Sequence, residues 1–480
     1  MNGIQDIYPL SHLQCGLLFQ TLYEPNQQVY ISQSRFSLKG QLLAPCLQES
    51  FQRAINRHDI LRTCFLWEGL PEPVQIVQRF APLRWEEHDW RDRPANSRKS
   101  ALDIFAEDDR KRGFDLTRAP LMRLTLIRIA EDETELIWTW HHILIDGWSV
   151  AQLLTELIGE YQVIATGEIN AINISRRPYR DYIAWLAGQN LDVAKTYWQS
   201  RLSGITSPTP FPLRSAGRQE AGFTWQQYKL SEEETQRLSE AARRHRLTIN
   251  TIAQAAWALL ISHYTNTLDV VFGAVVSGRP AALQGAETML GLFINTLPVR
   301  VKIQPDRKII DWLTDLQYQQ VESRQFDYCP LSEIHGWSEI PRGVPLFDTI
   351  FVFENFPIPR SRATLENATL QITGQDSVSY TSYPLTVTVG ISSELQIRIS
   401  YRRNSGHSER EIQYMGMQLL EILTSMARDF EGGVGNLTRA IEQAVDKEAE
   451  TERKRIAEAR SFITRQLRHE ISDYGERSGQ

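Results

Sequence analysis

The stretch with the most chemical content in this chain is His141-His142-Ile143-Leu144-Ile145-Asp146-Gly147-Trp148-Ser149. Imidazole titrates near neutrality, so a histidine can take a proton from an attacking amine or hydroxyl, or hold that nucleophile in register. The preceding run, Thr134 to Trp140, is dense in β-formers and leads straight into His141. Neighbours on a strand point to opposite faces, so only one of the two histidines can face a given cleft. The other must pack inside its own half. Asp146, in a turn, can orient a histidine or lock the loop through an arginine, and Gly147 supplies the backbone freedom a turn needs. The same spacing would suit metal ligation. The remaining histidines (His12, His58, His88, His245, His263, His335, His407, His469) are scattered without paired spacing, so no metal is expected. A serine nucleophile is also unexpected, because no G-x-S-x-G elbow occurs.

The elements that must position these residues are readable nearby. Leu121 to Ile129 predicts a strand beside the Thr134–Trp140 strand. Ser149 is placed to cap a helix whose apolar positions are Val150, Leu153, Leu154, Leu157, Ile158 and Tyr161. Strand, polar turn and helix together expose reactive side chains. Upstream, Leu42 to Ile60 has helical spacing. Thr166 to Pro178 reads as a linker. Beyond it, Ser231-Glu-Glu-Glu234 opens a helix to about His245, and a second helix fits Asn250 to Tyr264. Strands are predicted at Leu268–Val276, Leu297–Ile303, Leu346–Phe353 and Leu395–Tyr401. The pattern is mixed α/β, in two parts: 1–175 and 176–435. Residues 436–480 form a charged helical tail, read as a solvated helix or a docking segment for another protein.

Composition narrows the function classes. At 480 residues the chain holds two large domains or three smaller ones. Its 42% hydrophobic and 23% charged residues are ordinary globular values, which excludes collagen-like, coiled-coil and wholly disordered chains. A net charge of −6 and a pI of about 6.0 leave no global basic field, so nucleic acid is not an expected partner. Cys15, Cys46, Cys64 and Cys329 lack any C-x-x-C spacing, which disfavours zinc ribbons and disulfide scaffolds and suits a reducing compartment. No signal peptide and no membrane-length apolar run is visible, so a cytoplasmic protein without membrane contact is expected.

Taken with its other motifs, the chain resembles a condensation domain of nonribosomal peptide synthetases, relatives of chloramphenicol acetyltransferase. The likeness runs from about Ile4 to Asp429. His141 to Gly147 matches HHxxxDG in every specified position. Tyr8 to Phe19 resembles the opening motif, Arg57-His-Asp-Ile-Leu-Arg62 the RHxxLR motif, and Tyr179-Arg-Asp-Tyr-Ile-Ala-Trp185 the YxDxxxW motif. Gly291 to Thr296 resembles GxFxNT, Tyr328-Cys-Pro330 a shortened form of the next motif, and Leu346 to Asn355 the last.

The resemblance implies a V-shaped pseudodimer of two acetyltransferase-like halves with a tunnel between them. It implies amide formation between a donor acyl or peptidyl thioester and an acceptor aminoacyl thioester. Each substrate rides the phosphopantetheine arm of a peptidyl carrier protein, and no bound cofactor is needed. The implied catalytic motif comprises His141, His142, Asp146 and Gly147. In it, His142 is the base or the positioner of the amine, Asp146 pairs structurally with Arg279, and the Gly147 N–H faces the oxyanion. Trp148, Ser149, Asn295 and Ser11 are expected along the tunnel.

Tyr8-Pro-Leu-Ser11, Leu292 to Pro298 and Phe353-Glu-Asn355 look more like the subtype taking a D-configured donor, although His12 and Cys15 depart from its opening motif. Heterocyclisation and epimerisation signatures are absent. Adenylation motifs and a carrier G-G-x-S site are absent too, so the chain reads as a free-standing enzyme meeting carriers in trans or as a domain of a longer synthetase. A monomer is expected, with the tail available to an adjacent module or a tailoring enzyme. Two other readings stay open: an acyltransferase using coenzyme A thioesters or forming esters, and a non-catalytic interface domain that recruits a tailoring enzyme.

Overall fold

A computed structural model describes residues 3–25, 27–167, 175–209, 211, 222–355 and 370–442. The chain begins β1 (Ile4–Pro9), α1 (His12–Tyr23), β2 (Ile31–Gly40), α2 (Ala44–Arg57), β3 (Thr63–Leu66) and β4 (Val74–Gln78). It continues β5 (Arg84–Asp89), α3 (Ala95–Lys111), β6 (Met122–Arg128), β7 (Glu133–His141) and α4 (Gly147–Thr166). Next come α5 (Arg180–Ala187), α6 (Leu191–Leu202), β8 (Phe223–Lys229), α7 (Glu232–Arg244) and α8 (Ile249–Thr265). After β9 (Asp269–Val276) and β10 (Asn295–Lys302) follow α9 (Ile309–Ser323), α10 (Leu331–Trp337) and β11 (Thr349–Glu354). The last elements are β12 (Leu370–Val378), β13 (Leu385–Ile391), β14 (Leu395–Arg402) and α11 (Glu409–Arg428). The mixed α/β class read from the sequence holds.

Three sheets organise these strands. A small sheet runs β1-β4-β3, a second β12-β2-β7-β6-β5 and the largest β10-β9-β11-β13-β14-β8. The chain does not stay within its sequence halves. β12 leaves the later half to pair antiparallel with β2, from Leu370 opposite Gly40 to Val378 opposite Gln33. Leu283, Met289, Leu292 and Phe293 also cross over, packing into the first core with Trp138, Leu153 and Tyr179. The second core surrounds α8, whose residues from Thr251 to Ser262 are all buried. A helix apolar on every side needs cover on every side. Sheet and helices α7, α9 and α11 provide it.

Several boundaries shift for local reasons. The helix expected over Leu42–Ile60 stops at Arg57, because His58 turns extended (φ −106°, ψ 112°) before a 3-10 turn at Asp59–Arg62. That stop is used. Arg57 pairs with Glu156 and Glu160 of α4, and the His58 Nε2 lies 2.8 Å from the same buried Glu156. The RHxxLR residues thus staple α2 to α4. The strand expected from Leu346 starts at Thr349, since Leu346 and Phe347 are buried beside Val271 and Leu297. Residues 434–442 are helical, with Val434, Leu437 and Ile441 buried in the second core. The first turns of the expected tail therefore belong to the body, and 443–480 lie outside the described residues. No helix among the described residues is long and apolar enough to cross a membrane.

Candidate active site

The end of β7 separates the two histidines as strand geometry requires. His141 is fully buried. Its Nδ1 accepts from the Ile143 N–H at 3.1 Å, so the ring proton resides on Nε2, 3.2 Å from the Thr21 hydroxyl. Burial without a charge partner, with His142 adding to it, lowers its pKa to about 3, and the ring is neutral. His142 is only half-buried and lines the large cavity. Its backbone N–H is held by the Tyr30 carbonyl at 2.8 Å. Nδ1 is buried without a well-formed hydrogen bond, and among the described residues no side chain engages the ring. Burial again lowers the pKa, opposed by nearby backbone groups and by Asp146. At neutral pH this imidazole is in its basic form.

The turn after His142 is locked by Asp146, which is fully buried. Its Oδ1 accepts from the Ser149 N–H at 2.8 Å, so Asp146 caps α4 and Ser149 does not, correcting the expected cap by three residues. Arg279 Nη2 donates to Oδ1 at 3.1 Å, and the Phe293 N–H donates to Oδ2 at 3.0 Å. The expected pair of Asp146 with Arg279 is therefore present. Arg279 also donates to the carbonyls of Ala286 and Met289 at 2.6 and 2.9 Å and lies 4.1 Å over the Phe293 ring. One buried carboxylate ties the histidine loop to the 277–293 segment.

Gly147 opens α4 and lines the cavity. As the first helical residue it has no intrahelical acceptor for its N–H, and none is supplied by the described residues. An N–H there, at the positive end of the helix dipole, suits a developing oxyanion. Trp148 also borders the cavity, with its indole N–H donating to the Glu287 carbonyl at 3.0 Å.

Two expected tunnel residues are placed elsewhere. Ser149 is fully buried, and its hydroxyl exchanges bonds with Gly291 and Arg279, so it completes the lock and does not line the cavity. Ser11 is buried as the N-cap of α1, accepting from the Gln14 N–H at 3.2 Å in a capping box. Polar side chains near a helix start favour caps, and that local demand prevails at Ser11, whereas the Asp146–Arg279 lock claims Ser149. Asn295 does border the cavity, but its amide donates to the carbonyls of Asp327 and Cys329 at 2.7 Å each. It shapes the wall.

The cavity encloses about 2110 Å³ between the two larger sheets. One wall, from α1 and α4, is apolar through Leu13, Leu17, Val150 and Leu154. The motif at Tyr179 to Trp185 braces the 291–293 segment. Tyr179 donates to the Leu292 carbonyl at 2.6 Å, and its ring lies where a Cβ on Gly291 would stand, 2.1 Å away. Only glycine fits there. Two carboxyl groups in the cavity have no role of their own in the sequence motifs, although Glu354 falls within Phe353-Glu-Asn355. Asp327, directly before Tyr328-Cys-Pro330, is raised by burial to about 6, partly offset by Arg324. Glu354 ends β11. An acid at a strand end gives no pattern that singles it out.

Comparison with known proteins decides the family. A family model described as the condensation domain matches residues 4–445. The chain belongs to that family. A linear gramicidin synthase polypeptide of Brevibacillus parabrevis is 40% identical over 434 residues, covering 88% of this chain and 6% of that protein. The chain thus spans a small part of the length of such relatives. The starter condensation domain of rhizomide synthetase has the same fold, with a TM-score of 0.75 at 17% identity over 89% of this chain and 96% of that one. The first condensation domain of the calcium-dependent antibiotic synthetase gives a TM-score of 0.73 at 16% identity, covering 90% and 98%. Condensation domains are acyltransferases of nonribosomal peptide synthesis. They form peptide bonds from substrates held on phosphopantetheine by carrier domains and have no cofactor of their own.

Proposed function

We propose that this condensation domain joins a donor acyl or peptidyl thioester to the amine of an acceptor aminoacyl thioester, with His142 as the catalytic residue. One observation carries the assignment: among the described residues His142 faces the cavity without a side-chain partner, whereas both ring nitrogens of His141 are engaged. The acceptor amine attacks the donor carbonyl, and the imidazole takes or steers the amine proton. The Gly147 N–H receives the carbonyl oxygen as it becomes negative. The C–S bond then breaks, the proton passes to the departing pantetheine sulfur, and an amide and a free thiol result. A thioester is already activated, so much of the acceleration comes from holding amine and carbonyl in attack geometry. The histidine adds roughly 10²–10⁴-fold. Asp146 and Arg279 act as positioning residues, and Trp148 and Asn295 shape the substrate path.

In this reading 1–175 and 176–435 form the two acetyltransferase-like halves of a pseudodimer and the cavity is its tunnel. The protein works as a cytoplasmic monomer with separate donor and acceptor carrier proteins, and the tail contacts a neighbouring module or a tailoring enzyme. The donor residue is D-configured, a reading supported by Phe353-Glu-Asn355 and the opening motif. The test offers L- and D-aminoacyl thioesters on carrier proteins and on coenzyme A, with intact-mass detection. Amide on the acceptor carrier, formed only from carrier-borne and preferentially D-configured donors and lost in His142→Ala, is the expected result. Equal transfer from coenzyme A, or unchanged transfer by the variant, contradicts it.

A further inference from the structure

The cavity wall opposite α1 and α4 is one face of the largest sheet, and its polarity is specific. Strand alternation sends Phe351, Val387, Val389, Ile397 and Ile399 into the second core. The residues between them, on β11, β13 and β14, line the cavity: Glu354, Thr386, Thr388, Gln396, Arg398 and Ser400. The strand register sets Thr388 opposite Arg398 and Gly390 opposite both Glu354 and Gln396. Glu354 therefore looks across a glycine, with no side chain beside it on the neighbouring strand.

Three arginines of the cavity, Arg279, Arg398 and Arg402, are committed elsewhere. Arg402 pairs with Glu24 at 2.8 Å, and Arg279 with Asp146 at 3.1 Å. Arg398 donates to the Ser377 carbonyl at 2.6 Å and covers Trp225 at 4.7 Å. Among the described residues the Glu354 carboxylate has no hydrogen bond or ion pair, although its backbone pairs with Gly390. It is open to the cavity yet hemmed in by its walls, which raises its pKa against the distant pull of Arg398. A confined carboxylate without a cation is the complement of a ligand ammonium. Its place fits the reaction. β9 and β11 run parallel, so Glu354 lies at the same edge of the sheet as Ser277 and as Asn295, which begins the strand paired with β9.

We propose that Glu354 anchors a primary ammonium group on the bound thioester substrate, so that the domain favours a substrate with a free amine over one whose amine is acylated. The inference rests on the reading that thioester-borne substrates occupy this cavity. The ammonium belongs either to the acceptor aminoacyl group, which is held there before it loses a proton to become the attacking amine, or to the N-terminus of a peptidyl donor.

Binding separates these cases. The probes are stable pantetheine amides of alanine and of alanyl-alanine, each with a free or an acetylated amine, titrated calorimetrically into the full chain at pH 7. The wild type is expected to bind at least one free-amine probe about tenfold or more tightly than its acetylated partner. Glu354→Gln should bring that ratio within twofold without weakening the acetylated probe, and Glu354→Asp should preserve the preference. A preference confined to the alanyl probe assigns the acceptor amine, and one confined to the dipeptide probe assigns the donor terminus. Equal wild-type affinities, a preference that survives in Glu354→Gln, or equal weakening of both probes overturns the proposal while leaving the cavity reading intact. Failure of every probe to bind the wild type overturns both.

Discussion

The two sides of the end of β7 are built for opposite purposes. Behind the strand, His141 is sealed, neutral and bonded at both ring nitrogens, and it ties the loop to α1 through Thr21. In front, His142 stands at the wall of a large cavity, and among the described residues no side chain holds its ring. One residue of sequence separates a group that holds structure from a group free to do chemistry. The difference is made by strand alternation together with the lock at Asp146, which fixes the turn so that the alternation is not lost at the strand end.

That comparison can be broken at graded cost. The largest expected effect is on the open side. His142→Ala should lower acyl transfer by about 10²–10⁴-fold in kcat while leaving the melting temperature nearly unchanged. Next comes the lock: Arg279→Ala strands the fully buried Asp146 without its counter-charge. A loss of about 3–5 kcal/mol, read by denaturant unfolding, is expected. Gly291→Ala places a methyl into the Tyr179 ring and should cost about 1–3 kcal/mol in the same measurement. The smallest effect belongs to Ser11→Ala, which removes a helix cap. It should cost about 1 kcal/mol and leave kcat within twofold, as a cap would and a tunnel residue would not.

Much of this arrangement was legible in the sequence for identifiable reasons. β7, α8 and β14 have strong periodicity and fall close to their expected bounds. The split of His141 from His142 followed from strand geometry alone. β12 was missed because its partner is β2, more than three hundred residues earlier, and its alternation Leu370, Ile372, Gly374 is interrupted by a bulge. β1 and β5 are short and rich in charge and amide groups, so no apolar run announced them. Ser149 and Ser11 show the limit for the site. A serine beside a motif can line a tunnel, cap a helix or bond a neighbouring segment: Ser11 caps α1 with Gln14 three residues later, whereas Asp146 takes the α4 cap and leaves Ser149 to bond Gly291 and Arg279.

The central claim is that His142, and not His141, supplies the titrating group. The pH dependence of kcat/KM for carrier-to-carrier transfer tests it most directly. Burial lowers the His142 pKa, so the basic form persists below the usual histidine range. The account predicts a plateau through pH 7 and an acid limb centred below about 6.5, with the limb gone from the residual rate of His142→Ala. A limb that persists unchanged in His142→Ala, or that disappears in His141→Asn instead, would contradict it.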